Sequence, residues 1–183
     1  MKLYIALLSF SLLTGCASLS ESACKEGQWE EIGLADGHKG EKVDVIHSHI
    51  NSCSEYGISL DTKLYRRGYD KGLRFFCNPD KAFDLGYSGQ EYNNVCTNKK
   101  FNTEYQLGFE IHNISKEIER ISVEIERLKV DLEGANSNGF ASNKQTLRKE
   151  IKILKYKRSQ LKNKLVLLTV KSGRKLENLV DYF

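Results

Sequence analysis

A chain of 183 residues, 40% of them hydrophobic, is long enough for one ordinary domain or a small domain with an appendage, and too apolar to stay disordered. Its formal net charge of +4 is modest and no nucleic-acid-binding motif accompanies it, which sets nucleic acid aside as a partner. The apolar run from Leu3 to Leu13 is shorter than the ~20 residues of a spanning helix, and no other stretch is long and uncharged enough to cross a bilayer.

That run follows Lys2 and has the charged start and hydrophobic middle of an export signal. At its end, Leu13-Thr14-Gly15-Cys16 resembles the bacterial lipobox, in which small residues admit the signal peptidase and the cysteine sulfur is acylated. The resemblance implies a signal peptide over residues 1–15, lipidation at Cys16 (a diacylglyceryl group with palmitate-type chains), and a lipidated tether over 16–23. Several chains on one residue hold a protein far more firmly than one, since each buried methylene adds roughly 0.8 kcal/mol. Ala17 follows the anchor in place of the Asp that favours inner-membrane retention, so the expected location is the outer membrane, facing the periplasm.

With Cys16 assigned to the anchor, Cys24, Cys53, Cys77 and Cys96 remain, an even set that in an oxidising compartment reads as two disulfides. Three pairings are possible. Pairing of sequence neighbours, Cys24 with Cys53 and Cys77 with Cys96, is favoured because it closes short loops without threading. A zinc site fits poorly, as there is no Cys-x-x-Cys and no His at ligand spacing beside a cysteine.

Residues 24–108 hold a loose repeat in which an aromatic precedes spaced glycines: Trp29, Gly33 and Gly37; Tyr65, Gly68 and Gly72; Phe83, Gly86 and Gly89; Tyr105 and Gly108. Positions three or four apart share a helix face, so these glycines mark either close backbone approach or left-handed helix ends. Short helices are expected over 42–56, with Ile46, Ile50 and Cys53 on one side, over 62–76 with Asp61 as N-cap, and from Asp80 to Leu85 after the Asn78-Pro79 turn. Asp36-Gly37-His38 reads as a turn. From about Asn102 the pattern is continuous helix.

Three groups of residues in this order carry a resemblance. They are Cys24, Trp29, Ile32-Gly33, Asp36-Gly37 and Gly40; His47, Cys53, Tyr56-Gly57-Ile58, Asp61, Tyr65, Gly68-Tyr69, Gly72-Leu73, Phe76-Cys77 and Pro79; and Ala82, Gly86, Gly89, Tyr92 and Val95-Cys96. Together with the lipobox they resemble the bacterial lipoproteins grouped under the domain of unknown function 2799, over about residues 24–110. The resemblance implies an envelope lipoprotein, often with a helical tail, and it implies no activity and no functional residues.

Residues 109–183 carry the clearest periodicity. Ile111, Ile114, Ile118, Ile121, Ile125, Leu128 and Leu132 are spaced alternately by three and four, an unbroken heptad stripe. A second stripe, Leu147, Ile151, Leu154, Leu161, Leu165 and Leu168, has Arg158 in its one apolar gap. The Gly, Asn and Ser cluster over 133–143 reads as the turn between them. The expected fold is therefore all-α: a small disulfide-stapled bundle of short helices followed by a long antiparallel helical hairpin, a coiled coil. Arms over 109–133 and 144–180 would measure roughly 37 Å and 55 Å, so the second should overshoot and run back along the cysteine domain or engage a partner. Residues 110–133 hold 4 basic and 7 acidic side chains, a balance of −3, whereas 144–183 hold 12 basic and 3 acidic, or +9. The arms attract, and a surplus of positive charge is left over.

No catalytic elbow, phosphate loop or dinucleotide signature is present. His47 and His49, two apart on a helix, point in different directions and make a poor metal site. The chain is thus expected to be no enzyme, to need no cofactor or metal, and to act as a lipid-anchored structural or interaction protein. Its candidate binding face comprises Lys144, Arg148, Lys149, Lys152, Lys155, Arg158 and Lys162, offered to an envelope protein, the cell wall or an anionic surface. The competing expectation is an envelope enzyme or small-ligand binder with Asp36, His47 or Asp70 in a pocket of the glycine-rich domain.

Overall fold

A computed structural model describes residues 18–137 and 141–174. Seven helices and no strand lie among the described residues: α1 (Glu21–Glu26), α2 (Trp29–Lys39), α3 (Val45–Ser54), α4 (Thr62–Phe76), α5 (Pro79–Tyr87), α6 (Lys99–Ser137) and α7 (Ala141–Ser172). The chain divides into two compact units between Phe76 and Cys77. Each disulfide is internal to one unit, Cys24 to Cys53 and Cys77 to Cys96, with Cα atoms 5.4 and 5.5 Å apart. Sequence neighbours are paired, as loop closure favours.

In the first unit α2 and α4 lie side by side with their backbones in contact. Gly33 faces Tyr65 and Tyr69, and Gly37 faces Tyr69 and Leu73; reciprocally, Gly68 faces Glu30 and Leu34, and Gly72 faces Leu34 and His38. Residue numbers rise together on both helices, so the pair is parallel. A methyl group at any of these four glycines would overlap a backbone carbonyl of the opposite helix. Parallel neighbours need a return path, which α3 supplies. Around this crossing the core gathers Cys24, Trp29, Ile46, Cys53, Tyr65 and Tyr69, with Ile32, Ile50 and Leu73 packed against it.

The second unit repeats the device. Gly86 of α5 faces the Tyr105 carbonyl of α6, and Gly108 of α6 faces the Phe83 carbonyl of α5. In all three glycine pairs (33 with 68, 37 with 72, 86 with 108) the carbonyl over each glycine belongs to the residue three positions before its partner. In both units, moreover, the disulfide ties the segment preceding the first helix of the pair to the segment preceding the second. The aromatic-and-glycine repeat of the sequence is therefore a repeat of close parallel crossings. Left-handed helix ends account for other glycines, such as Gly40, which closes α2 at φ 71°.

Helix starts follow their caps. Asp61 Oδ1 accepts the Lys63 and Leu64 amides at 2.9 and 3.0 Å, so α4 begins at the expected place. Asn78 accepts the Asp80 amide at 3.0 Å, with Pro79 at the first helical position, and α5 continues to Tyr87 beyond the expected Leu85. Asn98 accepts the Lys100 and Phe101 amides, which starts α6 at Lys99, ahead of the expected Asn102. Asp36-Gly37-His38, read from the sequence as a turn, instead lies inside α2. The reason is the crossing: Gly37 serves close approach to α4 and does not bend the chain.

The hairpin forms along the heptad stripes. Ile111, Ile114, Ile118, Ile121, Ile125 and Leu128 of α6 are all buried, packed against Ile151, Leu154, Leu161, Leu165 and Leu168 of α7. Lys157 pairs with Glu117 and Lys164 with Glu110, both at 2.7 Å, so the helices run antiparallel. Arg158, in the gap of the second stripe, turns its guanidinium to the Ser122 hydroxyl at 3.2 Å. The helical arms close in on the turn, reaching Ser137 and resuming at Ala141, where 133–143 was expected as loop. Because α6 begins at Lys99 and passes residue 108 unbroken, it is the longer helix, about 58 Å against about 48 Å for α7. The second arm does run back beside the α5 and α6 pair: Leu165 joins the Phe83 cluster, and Arg174 stacks 4.0 Å over the Phe83 ring while binding Glu104 at 2.8 Å. Leu176, Leu179, Val180 and Phe183, expected in that excess, lie outside the described residues.

Candidate functional site

Two features of the molecule hold chemistry beyond packing. The first is a buried polar chain in the first unit. Asp36, on the α2 face between Gly33 and Gly37, accepts the Tyr65 hydroxyl at 2.8 Å and lies 2.9 Å from His49 Nε2. His49 Nδ1 is 2.9 Å from the Ser18 hydroxyl, and Ser18 in turn meets the Ser52 hydroxyl at 3.1 Å and donates its amide to it at 3.0 Å. Burial pushes the Asp36 carboxyl up, but the hydrogen bonds from His49 and Tyr65 outweigh it and hold the pKa below its ordinary 3.8. Burial, then the hydrogen bond to Asp36 and its charge, push the Tyr65 phenol upward.

Serine, imidazole and carboxylate thus stand in the order of a hydrolase triad. The Ser18 hydroxyl is engaged by Ser52 as well as by His49. What the chain does is fix residue 18 to α3. Of the residues expected to line a pocket, Asp36 is buried in this network, whereas His47 and Asp70 are exposed on α3 and α4, so the three are not brought together. An open groove on the same unit is lined by Trp29, Glu30, Leu34, Leu64, Arg67 and Lys71. Three of its charges are matched to one another: hydrogen bonds from Arg67 and Lys71 hold the Glu30 carboxyl down at about 2. Among the described residues no cluster of His, Cys, Asp and Glu could hold a metal, and no helix is long and apolar enough to cross a membrane.

The second feature is the charge on the hairpin. On α6, acids and bases are largely paired along the helix itself, as in Arg120 with Glu117 and Arg127 with Glu124 and Asp131. Glu117 also receives Lys157, and the hydrogen bonds of Arg120 and Lys157 hold its carboxyl at about 2. On α7 the expected basic residues separate into two sets. Arg158 and Lys162 are half-buried, the former on Ser122, and Lys144 is half-buried near the turn. Arg148, Lys149, Lys152 and Lys155 are exposed and form no salt bridge with a described residue. Cys16, the expected lipidation site, lies outside the described residues.

Residues 28–110 match the family described as "Protein of unknown function (DUF2799)". The matched span takes in all three glycine crossings and stops at residue 110, just before the first isoleucine of the hairpin seam. No curated protein and no solved structure matches the chain.

Proposed function

Since residues 28–110 place the chain in the family of unknown function DUF2799, we propose that it is a cell-envelope protein carried by an acyl group on Cys16, with a structural or interaction role exercised by its hairpin. It is no enzyme in this reading and uses no cofactor. The glycine crossings hold each unit together by itself, and the hairpin presents its basic arm to an envelope protein or an anionic surface, in the periplasm and at the outer membrane. The observation that carries the reading is the unbalanced charge of α7: Arg148, Lys149, Lys152 and Lys155 are exposed and form no salt bridge with a described residue, while α6 spends its acids on its own bases and on Lys157 and Lys164. Each basic residue near an anionic surface contributes roughly 1 kcal/mol.

Two measurements test it. Incorporation of an alkyne-tagged fatty acid should label the wild-type chain and not Cys16→Ser; an unlabelled wild type removes the anchor. In the Cys16→Ser background, where no acyl anchor holds the chain, replacement of Lys149, Lys152 and Lys155 by Glu should release the protein from isolated envelopes at moderate salt, and retention equal to that of Cys16→Ser alone would remove the role of the basic arm.

A further inference from the structure

α7 carries a second heptad seam on its outer side. Ile153, Tyr156, Gln160, Asn163, Leu167 and Val170 are spaced 3, 4, 3, 4 and 3, and all six are exposed. The four apolar members are 66%, 68%, 71% and 74% exposed. Single exposed apolar residues are ordinary on a protein surface, but six consecutive positions in heptad register over about 26 Å of helix are the geometry of a coiled-coil seam. The inner seam of α7 is filled by α6; the outer one is bare among the described residues. Lys149 and Lys152 flank it at one end and Lys171 at the other, all exposed.

We propose that this outer face of α7 is the docking site for an acidic amphipathic helix of another protein, which completes a three-helix coiled coil. The inference rests on the reading of the hairpin as an interaction element and specifies its partner. Charge selects the partner, since lysines border the stripe and glutamates on the incoming helix would face them. The two amides at its centre favour a helix over a lipid surface: Gln160 and Asn163 find hydrogen-bonding groups on a partner helix and fix its register, whereas acyl chains leave them unsatisfied. A second copy fits badly. Antiparallel α7 helices would set lysine against lysine, and the corresponding outward line of α6 places Lys116, Arg120 and Arg127 at seam positions. Arg174, the last described residue, is held at Glu104 and Phe83.

The probe is a synthetic peptide of about three heptads, with Leu and Ile at seam positions, Asn at the two that face Gln160 and Asn163, and Glu on the flanks, compared with a scrambled peptide of the same composition. The full chain should bind the heptad peptide and not the scrambled one, and Ile153→Ser with Leu167→Ser should weaken binding about tenfold or more, as loss of central anchors does. These side chains are exposed, so helical content and melting should stay at wild-type values. Equal binding of both peptides, or binding unchanged by the serine pair, overturns the proposal. So does a serine pair that instead abolishes self-association in sedimentation, or binding to phosphatidylcholine and phosphatidylglycerol vesicles. In the Cys16→Ser background, if the serine pair leaves envelope retention intact while the glutamate triple variant loses it, the docking helix is wrong and the basic-arm reading stands; if neither variant changes retention, that reading fails as well.

Discussion

Gly33 and Gly68 meet backbone to backbone: the Tyr65 carbonyl lies over the first and the Glu30 carbonyl over the second. No side chain of any kind fits between them, so the sequence of either helix constrains the other at this point.

Gly68→Ala is therefore expected to destabilise the first unit. Alanine is the better helix former by about 1 kcal/mol, but its methyl group must displace a backbone carbonyl, and overpacking of that kind costs about 1–3 kcal/mol. The opposite sign is expected for Gly134→Ala, where an added methyl would meet nothing within 4 Å and only the helix preference remains. Thermal melts of the two variants check the pair, and equal shifts would contradict the crossing.

The acid limb of stability should report on Asp36. Its carboxyl titrates lower in the folded chain than its ordinary 3.8, so the ionised form favours folding above that pH. The contribution disappears as pH falls through the lowered value. Denaturation midpoints followed by fluorescence of Trp29, the only tryptophan, should drop below pH 3.8 in the wild type. Asp36→Asn should flatten that drop and lower stability at neutral pH by about 1–3 kcal/mol, because His49 and Tyr65 lose a charged partner.

Each disulfide should act on its own unit. Loops of 29 and 19 residues correspond to roughly 3–4 kcal/mol each in the chain-entropy account. Cys24→Ser with Cys53→Ser should lower the transition seen by Trp29 by about that amount and leave the helical signal of the hairpin intact. Peptide mapping that found Cys53 joined to Cys77 would contradict both the pairing and the division into units.

Ile118→Asp places a charge in the seam, where Ile118 is 2% exposed, and should cost several kcal/mol with fraying of both arms. Val123→Asp, five residues on but facing solvent, should be close to neutral. Circular dichroism and melting separate the two, and an unchanged Ile118→Asp would mean the helices pack by another face.

The hairpin was legible in the sequence because its evidence is local and redundant: seven apolar positions repeat one spacing, and losing any one leaves the period visible. Asp61 and Pro79 were legible for the same reason, each acting on its immediate neighbours. The segment around Asp36 was not. A glycine between polar residues looks the same whether it bends the chain or admits another backbone, and only Gly68 and Gly72, some 35 residues away on α4, decide the matter. His49 was hidden for a related reason. Its partner sits on a different helix, and the one clue was a carboxylate placed on a glycine face, where it had to be buried. The division at Phe76 was likewise obscured, because cysteines and glycines are spread evenly across it while composition changes only near residue 110.

The hold that Ser52 and His49 keep on Ser18 sets the length of the leash. If Cys16 carries the acyl group as proposed, Ala17 alone separates it from the first immobilised residue, which allows about 7 Å of slack at full extension. Such a protein does not wander from the bilayer: Ser18, and with it the start of the first unit, is held within that distance of the lipid headgroups. Neutron reflectometry on a supported bilayer should then show protein density starting at the headgroups, with no intervening layer of water.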